Sequence, residues 1–200
     1  VPLLLAEERY SRSARDERPR NFFPYVLLAM AVWNACCTWW LYCVSEDTST
    51  KLFTVIGPNI GNDLLMCLPW MLMRLSRRIL AGPNARAFFV LTWIAFERFH
   101  MHWDLSWPWL TLGNVFAEHP QWVQWYSITG ALGGSLWVLL VNLTVLAAII
   151  QRRPRMMFAA ALLIAVPVVG SWIRYATFKE QGVPTEVVVV QPNVDPYTEK

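Results

Sequence analysis

Apolar residues are gathered into long blocks along this chain, and polar residues fall between the blocks rather than alternating with them. Crossing about 30 Å of hydrocarbon takes roughly 20 apolar residues of helix at about 1.5 Å each. Phe22 to Val44 gives 23 residues without a charge and predicts a first span over 22–44. Leu52 to Met73 predicts a second over 52–73. Gly57, Pro58, Gly61, Asn62 and Asp63 interrupt it, so it is expected to enter as a broken or partly re-entrant helix, with Asp63 marking a helix end at the interface. A third, over 85–101, reaches spanning length only if Ala87 to Phe96 continues through Glu97, Phe99 and Met101. Ile128 to Ile150, again 23 residues without a charge, and Met156 to Ile173, 18 residues, predict spans over 128–150 and 156–173. Pro167 and Gly170 mark a kink or a close interface in the last of these. The opening Val1-Pro2-Leu3-Leu4-Leu5 reads as the tail of an apolar segment, with neither an initiator Met nor a basic leader before it, so the chain is expected to be a fragment.

After the fifth block the texture changes. Gly182-Val183-Pro184-Thr185 reads as a linker, and Glu186-Val187-Val188-Val189-Val190-Gln191-Pro192 as a buried strand of the kind found inside an α/β sheet. The expected organisation is a helical membrane domain over 1–180, with a loop over 97–127, followed by the linker and first strand of a soluble domain over 181–200.

Composition agrees with a membrane class. The 200 residues are 56% hydrophobic and 16% charged, against about 45–50% and 25% in ordinary soluble domains. Seventeen Lys and Arg against 14 Asp and Glu give a net charge of +3, too small for a nucleic-acid surface. The positive charges are one-sided. Arg9, Arg12, Arg15, Arg18 and Arg20 precede the first span, Arg74, Arg77, Arg78 and Arg86 lie between the second and third, and Arg152, Arg153 and Arg155 between the fourth and fifth. Short cytoplasmic loops collect such residues, so the loop 97–127 and the C-terminal segment are expected to face outward. Trp39, Trp40, Trp103, Trp107, Trp109, Trp122 and Trp125 cluster near that face, as expected for an aromatic belt.

Candidate chemistry is sparse. Cys36, Cys37, Cys43 and Cys67 fall within the spans without paired spacing and read as small packing residues. His100, His102, Glu97, Asp104 and His119 could be written as metal ligands, but His-x-His spacing suits a strand better than a helix face, so no metal is expected. Glu97 and Arg98 at the end of a span need water, a headgroup or each other; an interfacial ion pair is the plain reading.

The loop carries the most information. It runs from Trp93-Ile94-Ala95-Phe96-Glu97-Arg98 through Ser106-Trp107-Pro108-Trp109-Leu110-Thr111-Leu112-Gly113-Asn114 to Gln124-Trp125-Tyr126. Gly130, Gly133-Gly134-Ser135-Leu136-Trp137 and Asn142 follow. This order resembles the bacterial apolipoprotein N-acyltransferase family, with its Trp and Glu at a helix end, Pro-Trp outer loop and Gly-rich helix ending near an Asn. The tail Val187 to Asp195 is similar to the first strand and loop of that family's nitrilase-like domain. Ser106-Trp107 stands where the family usually shows Gly-Phe.

The resemblance implies a multi-pass protein of the bacterial inner membrane with a periplasmic nitrilase-like α/β sandwich. It implies an enzyme, acting as a monomer without cofactors, that moves an acyl chain from a phospholipid to the free α-amino group of a diacylated apolipoprotein. A cysteine, a glutamate and a lysine would perform ping-pong thioester chemistry, all beyond Lys200, so no catalytic residue falls here and the fragment alone is expected to be inactive. The residues expected to meet lipid or substrate are Glu97, Arg98, Trp107, Pro108, Trp109, Gly113 and Trp125. Two rival readings stand beside it: a nitrilase-like membrane scaffold for glycolipid assembly that transfers no acyl group, and a transporter, which should show ionisable residues along a midplane path that the longest spans lack.

Overall fold

Backbone removed from water must satisfy each N–H and C=O internally, and within one segment only a helix does so. A computed structural model describes residues 1–13, 21–43, 48–180, 182–183 and 185–191, and among them every regular element is helical. The elements are α1 (Pro2–Arg12), α2 (Phe23–Thr38, continued by a 3₁₀ turn Trp39–Cys43), α3 (Thr48–Ser76), α4 (Gly82–His100), α5 (Tyr126–Gln151) and α6 (Pro154–Thr177). Proline sits in the first turn of α1, α2, α4 and α6, where its missing N–H costs nothing.

All five predicted blocks became helices. Phe23–Cys43, Tyr126–Gln151 and Pro154–Thr177 are long and apolar enough to cross a membrane. α3 and α4 carry more polar residues and fall outside that class. The expected break in the second block is absent: α3 runs continuously for 29 residues through Pro58 and Pro69. Gly57 and Gly61 read as breakers in an isolated helix, but α3 packs between α2 and α4, and that packing carries it through. Asp63 therefore lies in mid-helix and is buried, not at a helix end. Val187 to Val190 are exposed and form no strand. A strand exists by pairing, and no other extended segment is described that could pair with it. Arg15, Arg18, Arg20, Pro184 and the Pro192 to Asp195 stretch of the tail lie outside the described residues.

The core is an aromatic and methionine cluster shared by α1 to α5, centred on Val26, Met30, Met66, Trp70, Phe89 and Trp93. Trp33 stacks parallel on Trp93 at 6.2 Å, and Trp70 meets Phe89 at 4.6 Å. Cys67 belongs to this core, whereas Cys36, Cys37 and Cys43 are exposed; all four are free. α6 buries little besides Ala160 and Ser171.

Two polar assemblies fix the ends of the bundle. At the arginine-rich end, Arg77 bridges the buried Glu7 (2.7 Å) and Glu8 (2.9 Å), Arg74 adds a contact to Glu7 (3.2 Å), and Arg86 one to Glu8 (2.9 Å). α1, the end of α3 and the start of α4 are thereby tied together. Burial alone would push the Glu8 carboxyl up, but hydrogen bonds from Arg77 and Arg12 and the charges of Arg77 and Arg86 hold it below its ordinary value. Toward the opposite end runs a directed chain of hydrogen bonds across α2, α3 and α4. Trp103 Nε1 donates to His100 Nδ1 (2.9 Å), His100 Nε2 to Asn62 Oδ1 (2.9 Å), Asn62 to Asn34 Oδ1 (2.6 Å) and Asn34 to Asp63 Oδ1 (2.6 Å). Buried polar groups are costly unless paired, and each member of this chain is paired.

Candidate functional site

Beyond His100 the chain leaves α4 and turns back over the bundle in three 3₁₀ turns, Pro108–Leu110, Leu112–Phe116 and Pro120–Trp122. Loops without regular structure need side chains to hold them, and here the holders come from α4 and α5. Glu97, 4% exposed, receives two hydrogen bonds on Oε1, from Trp93 Nε1 one turn earlier and from the Leu112 backbone N–H, both at 2.9 Å. The Gly113 N–H donates to Ser135 Oγ, and the Tyr126 hydroxyl donates to the Gly113 carbonyl, both at 2.9 Å. Glu97, Ser135 and Tyr126 thus grip two consecutive residues from three directions.

The glycines make this grip possible. A Cβ on Gly113 would stand 2.0 Å from the Ala131 carbonyl oxygen, which is backbone and cannot swing aside. A Cβ on Gly134 would stand 1.7 Å from the Tyr126 hydroxyl oxygen, so Gly134 keeps the path of that hydroxyl clear. Gly130 adopts φ 65° and ψ −172°, a region open only to glycine, and kinks the first turn of α5 toward the loop.

The aromatic turn lies beside the grip. Trp107 and Trp109 meet edge to face at 4.7 Å, and Trp109 in turn meets Trp40, from the turn after α2, at 5.4 Å. Trp109 remains 51% exposed although it is a large apolar ring, and Pro108 is exposed. Below the loop, Leu112 and Trp93 line an apolar cleft of about 530 Å³ that extends past Tyr25, Ala29, Trp33 and Leu139. Glu97, Trp107 and Pro108 stand around a separate small pocket that shares Trp93 with the cleft, and the apolar walls of the cleft suit a hydrocarbon tail.

The predicted residues divide accordingly. Glu97, Trp107, Pro108, Trp109 and Gly113 come together. Arg98 does not join them: it is exposed and interacts with His102 one turn on, so the Glu97–Arg98 ion pair is not formed and the loop takes the carboxylate instead. Adjacent residues on a helix point about 100° apart, which separates the two. Trp125 lies elsewhere, against Trp137 at 5.6 Å in a groove between α5 and α6. The histidines also disperse, His100 to Asn62, His102 to Arg98 and His119 to a stack on Trp122. Among the described residues no group of three or more His, Cys, Asp or Glu side chains is placed to hold a metal ion. The sequence does not mark Ser135 and Tyr126 as holders of Gly113; the one signal is that Ser135 stands directly after Gly133-Gly134.

The apolipoprotein N-acyltransferase N-terminal domain model matches residues 1–144. The apolipoprotein N-acyltransferase of Chlorobaculum tepidum is 24% identical over 204 residues, covering 98% of this chain and 36% of the relative, so the chain spans little more than a third of that protein's length. No solved structure matches. With the family model matching well over half of its residues, the chain belongs to the apolipoprotein N-acyltransferase N-terminal domain family.

Proposed function

We propose that this chain is the membrane platform of a lipoprotein N-acyltransferase, which passes an acyl chain from a phospholipid to the N-terminal α-amine of a diacylated apolipoprotein. The observation that carries the reading is the Glu97-held loop, whose Leu112 lines an apolar cleft, in a chain of this family. The reaction runs in two halves. A cysteine thiolate attacks the phospholipid ester carbonyl, forming a thioester and releasing a lysophospholipid. The lipoprotein amine then attacks the thioester, forming the amide and returning the thiol. The cysteine, with a glutamate base and a lysine facing the oxyanion, belongs to a nitrilase-like domain expected after Lys200.

In this reading the platform contributes position rather than chemistry. Trp107, Pro108 and Trp109 form the rim past which acyl chains enter, Glu97 and Gly113 are positioning residues that hold the rim, and Arg98 faces headgroup phosphates. Trp125 lines a separate groove. The protein is a monomer without cofactors in the bacterial inner membrane, with five spans, its arginine-rich loops in the cytoplasm, and the loop and the domain after it in the periplasm.

The test uses the full-length protein in phospholipid nanodiscs with a synthetic diacylglyceryl-cysteine peptide, read by mass spectrometry. The peptide is expected to gain one acyl chain in amide linkage. An unmodified peptide in the presence of correctly folded protein would favour the scaffold reading.

A further inference from the structure

α5 and α6 are joined at two levels and stand apart between them. Deep in the pair, Pro167 lacks the N–H that would bond the Leu163 carbonyl, and Trp137 Nε1 takes that carbonyl instead at 2.7 Å. At the loop end, the Gln124 N–H donates to Ser171 Oγ at 3.0 Å. Between these pins lies a groove of about 470 Å³, its walls formed by Thr129, Gly133, Leu136 and Leu140 on one side and Pro167 and Gly170 on the other. A Cβ on Gly170 would meet nothing within 4 Å, so the space in front of it is open. Two fixed points make this groove a preformed feature rather than a loose helix contact.

Its two ends differ in chemistry. The deep end is apolar. The loop end carries Arg174, which is exposed and makes no ion pair among the described residues, and Trp125, whose Nε1 is buried without a hydrogen-bond partner. A cation above an apolar slot complements an amphiphile with an anionic head and a slender tail. The outer face of α6 beside the slot, including Val166, Val169 and Ile173, is exposed and apolar, so the slot opens sideways onto a lipid-facing surface.

We infer that the α5–α6 groove is a phospholipid-binding site distinct from the cleft under the loop, with one acyl chain along Gly133, Leu136, Leu140 and Gly170 and the phosphate on Arg174. The inference rests on groove geometry and does not require the acyl-transfer reading. Capture of lipid here by a protein that transfers no acyl group would sink the proposed function alone.

The test places full-length protein in nanodiscs doped with phosphatidylglycerol bearing a diazirine near the end of one acyl chain, followed by irradiation and peptide mapping. Wild type is expected to label at Leu136, Leu140 or the Pro167 turn. Gly170→Leu, which fills open space, should remove that label. Arg174→Gln, at an exposed position, should lower it about tenfold, the weight of one charge-assisted hydrogen bond. A diacylglycerol probe with the same diazirine but no phosphate should label wild type only at the level of Arg174→Gln. Equal labelling in Gly170→Leu and wild type, equal labelling by both probes, or a crosslink from groove residues to another helix of the same chain would each overturn the inference.

Discussion

The substitution Gly113→Ala isolates the loop grip. The new Cβ would lie 2.0 Å from the Ala131 carbonyl oxygen and 2.8 Å from its carbon, distances that no rotamer change relieves because both atoms are backbone. The loop must retreat by more than an ångström, beyond the reach of the 2.9 Å bonds from the Gly113 N–H to Ser135 and from Tyr126 to the Gly113 carbonyl. Overpacking costs about 1–3 kcal/mol and two lost hydrogen bonds about 1 kcal/mol each, giving roughly 3–5 kcal/mol against the closed loop. The helices beneath do not use these bonds, so the effect is local. Amide hydrogen exchange on the full-length protein reads it directly. Exchange at Leu112 and Gly113 should accelerate by about 10²- to 10⁴-fold, or to the open-loop limit, while α3 and the inner half of α5 keep their protection. Unchanged protection at Leu112 in the variant would show that Glu97 alone secures the loop and that the close approach to Ala131 is not a constraint.

Other expectations follow from the same geometry. Ser135→Ala leaves the Gly113 N–H buried and unpaired, and should open the loop at a cost of about 1–3 kcal/mol, seen as faster exchange at Gly113 than at Leu112. Glu8→Gln should lower the melting temperature at neutral pH. The Glu8 carboxyl is held below its ordinary value, so its contribution is complete above the unfolded-state pKa and disappears as pH falls through the depressed folded value. The gap between wild type and Glu8→Gln in a series of melts from neutral to strongly acid pH should therefore close at the acid end, and a constant gap would contradict the arginine cluster's role. Asn34→Leu cuts the directed chain and strands Asp63 and Asn62 in the core, with an expected loss of about 2–4 kcal/mol in denaturant unfolding. A cysteine placed at Asn114 should react with a membrane-impermeant maleimide in intact cells, and one at Arg152 only after permeabilisation; the reverse pattern would invert the proposed orientation.

Much of the scaffold can be read from sequence because hydrocarbon imposes a simple length rule on uncharged blocks. Phe22 to Val44 and Ile128 to Ile150 needed no further information. The continuity of α3 was not legible, since Gly57-Pro58 carries the same signal whether or not neighbouring helices hold the segment. Glu97 could be singled out as an ionisable residue at a helix end, and Trp93 four residues earlier suits a helical contact. Its partner Leu112 could not be named, because a backbone N–H leaves no mark on the side-chain sequence. The same holds for Asn34, Asn62 and His100, whose contacts span 28 and 38 residues. The arginines were legible as a side preference, but not as the ties that Glu7 and Glu8 make to them. Four valines in a row state a taste for sheet, and sheet needs a neighbour that the described residues do not supply.

The proposed placing of acyl chains by the Trp107-Pro108-Trp109 turn is tested by following both half-reactions in full-length Trp109→Ala. Thioester formation from phospholipid is trapped and weighed, and amide formation on a diacylglyceryl-cysteine peptide is timed in the same preparation. Wild type is expected to complete both steps and the variant to slow both, with the helical bundle intact by melting temperature. Wild-type rates in Trp109→Ala at both steps would contradict it.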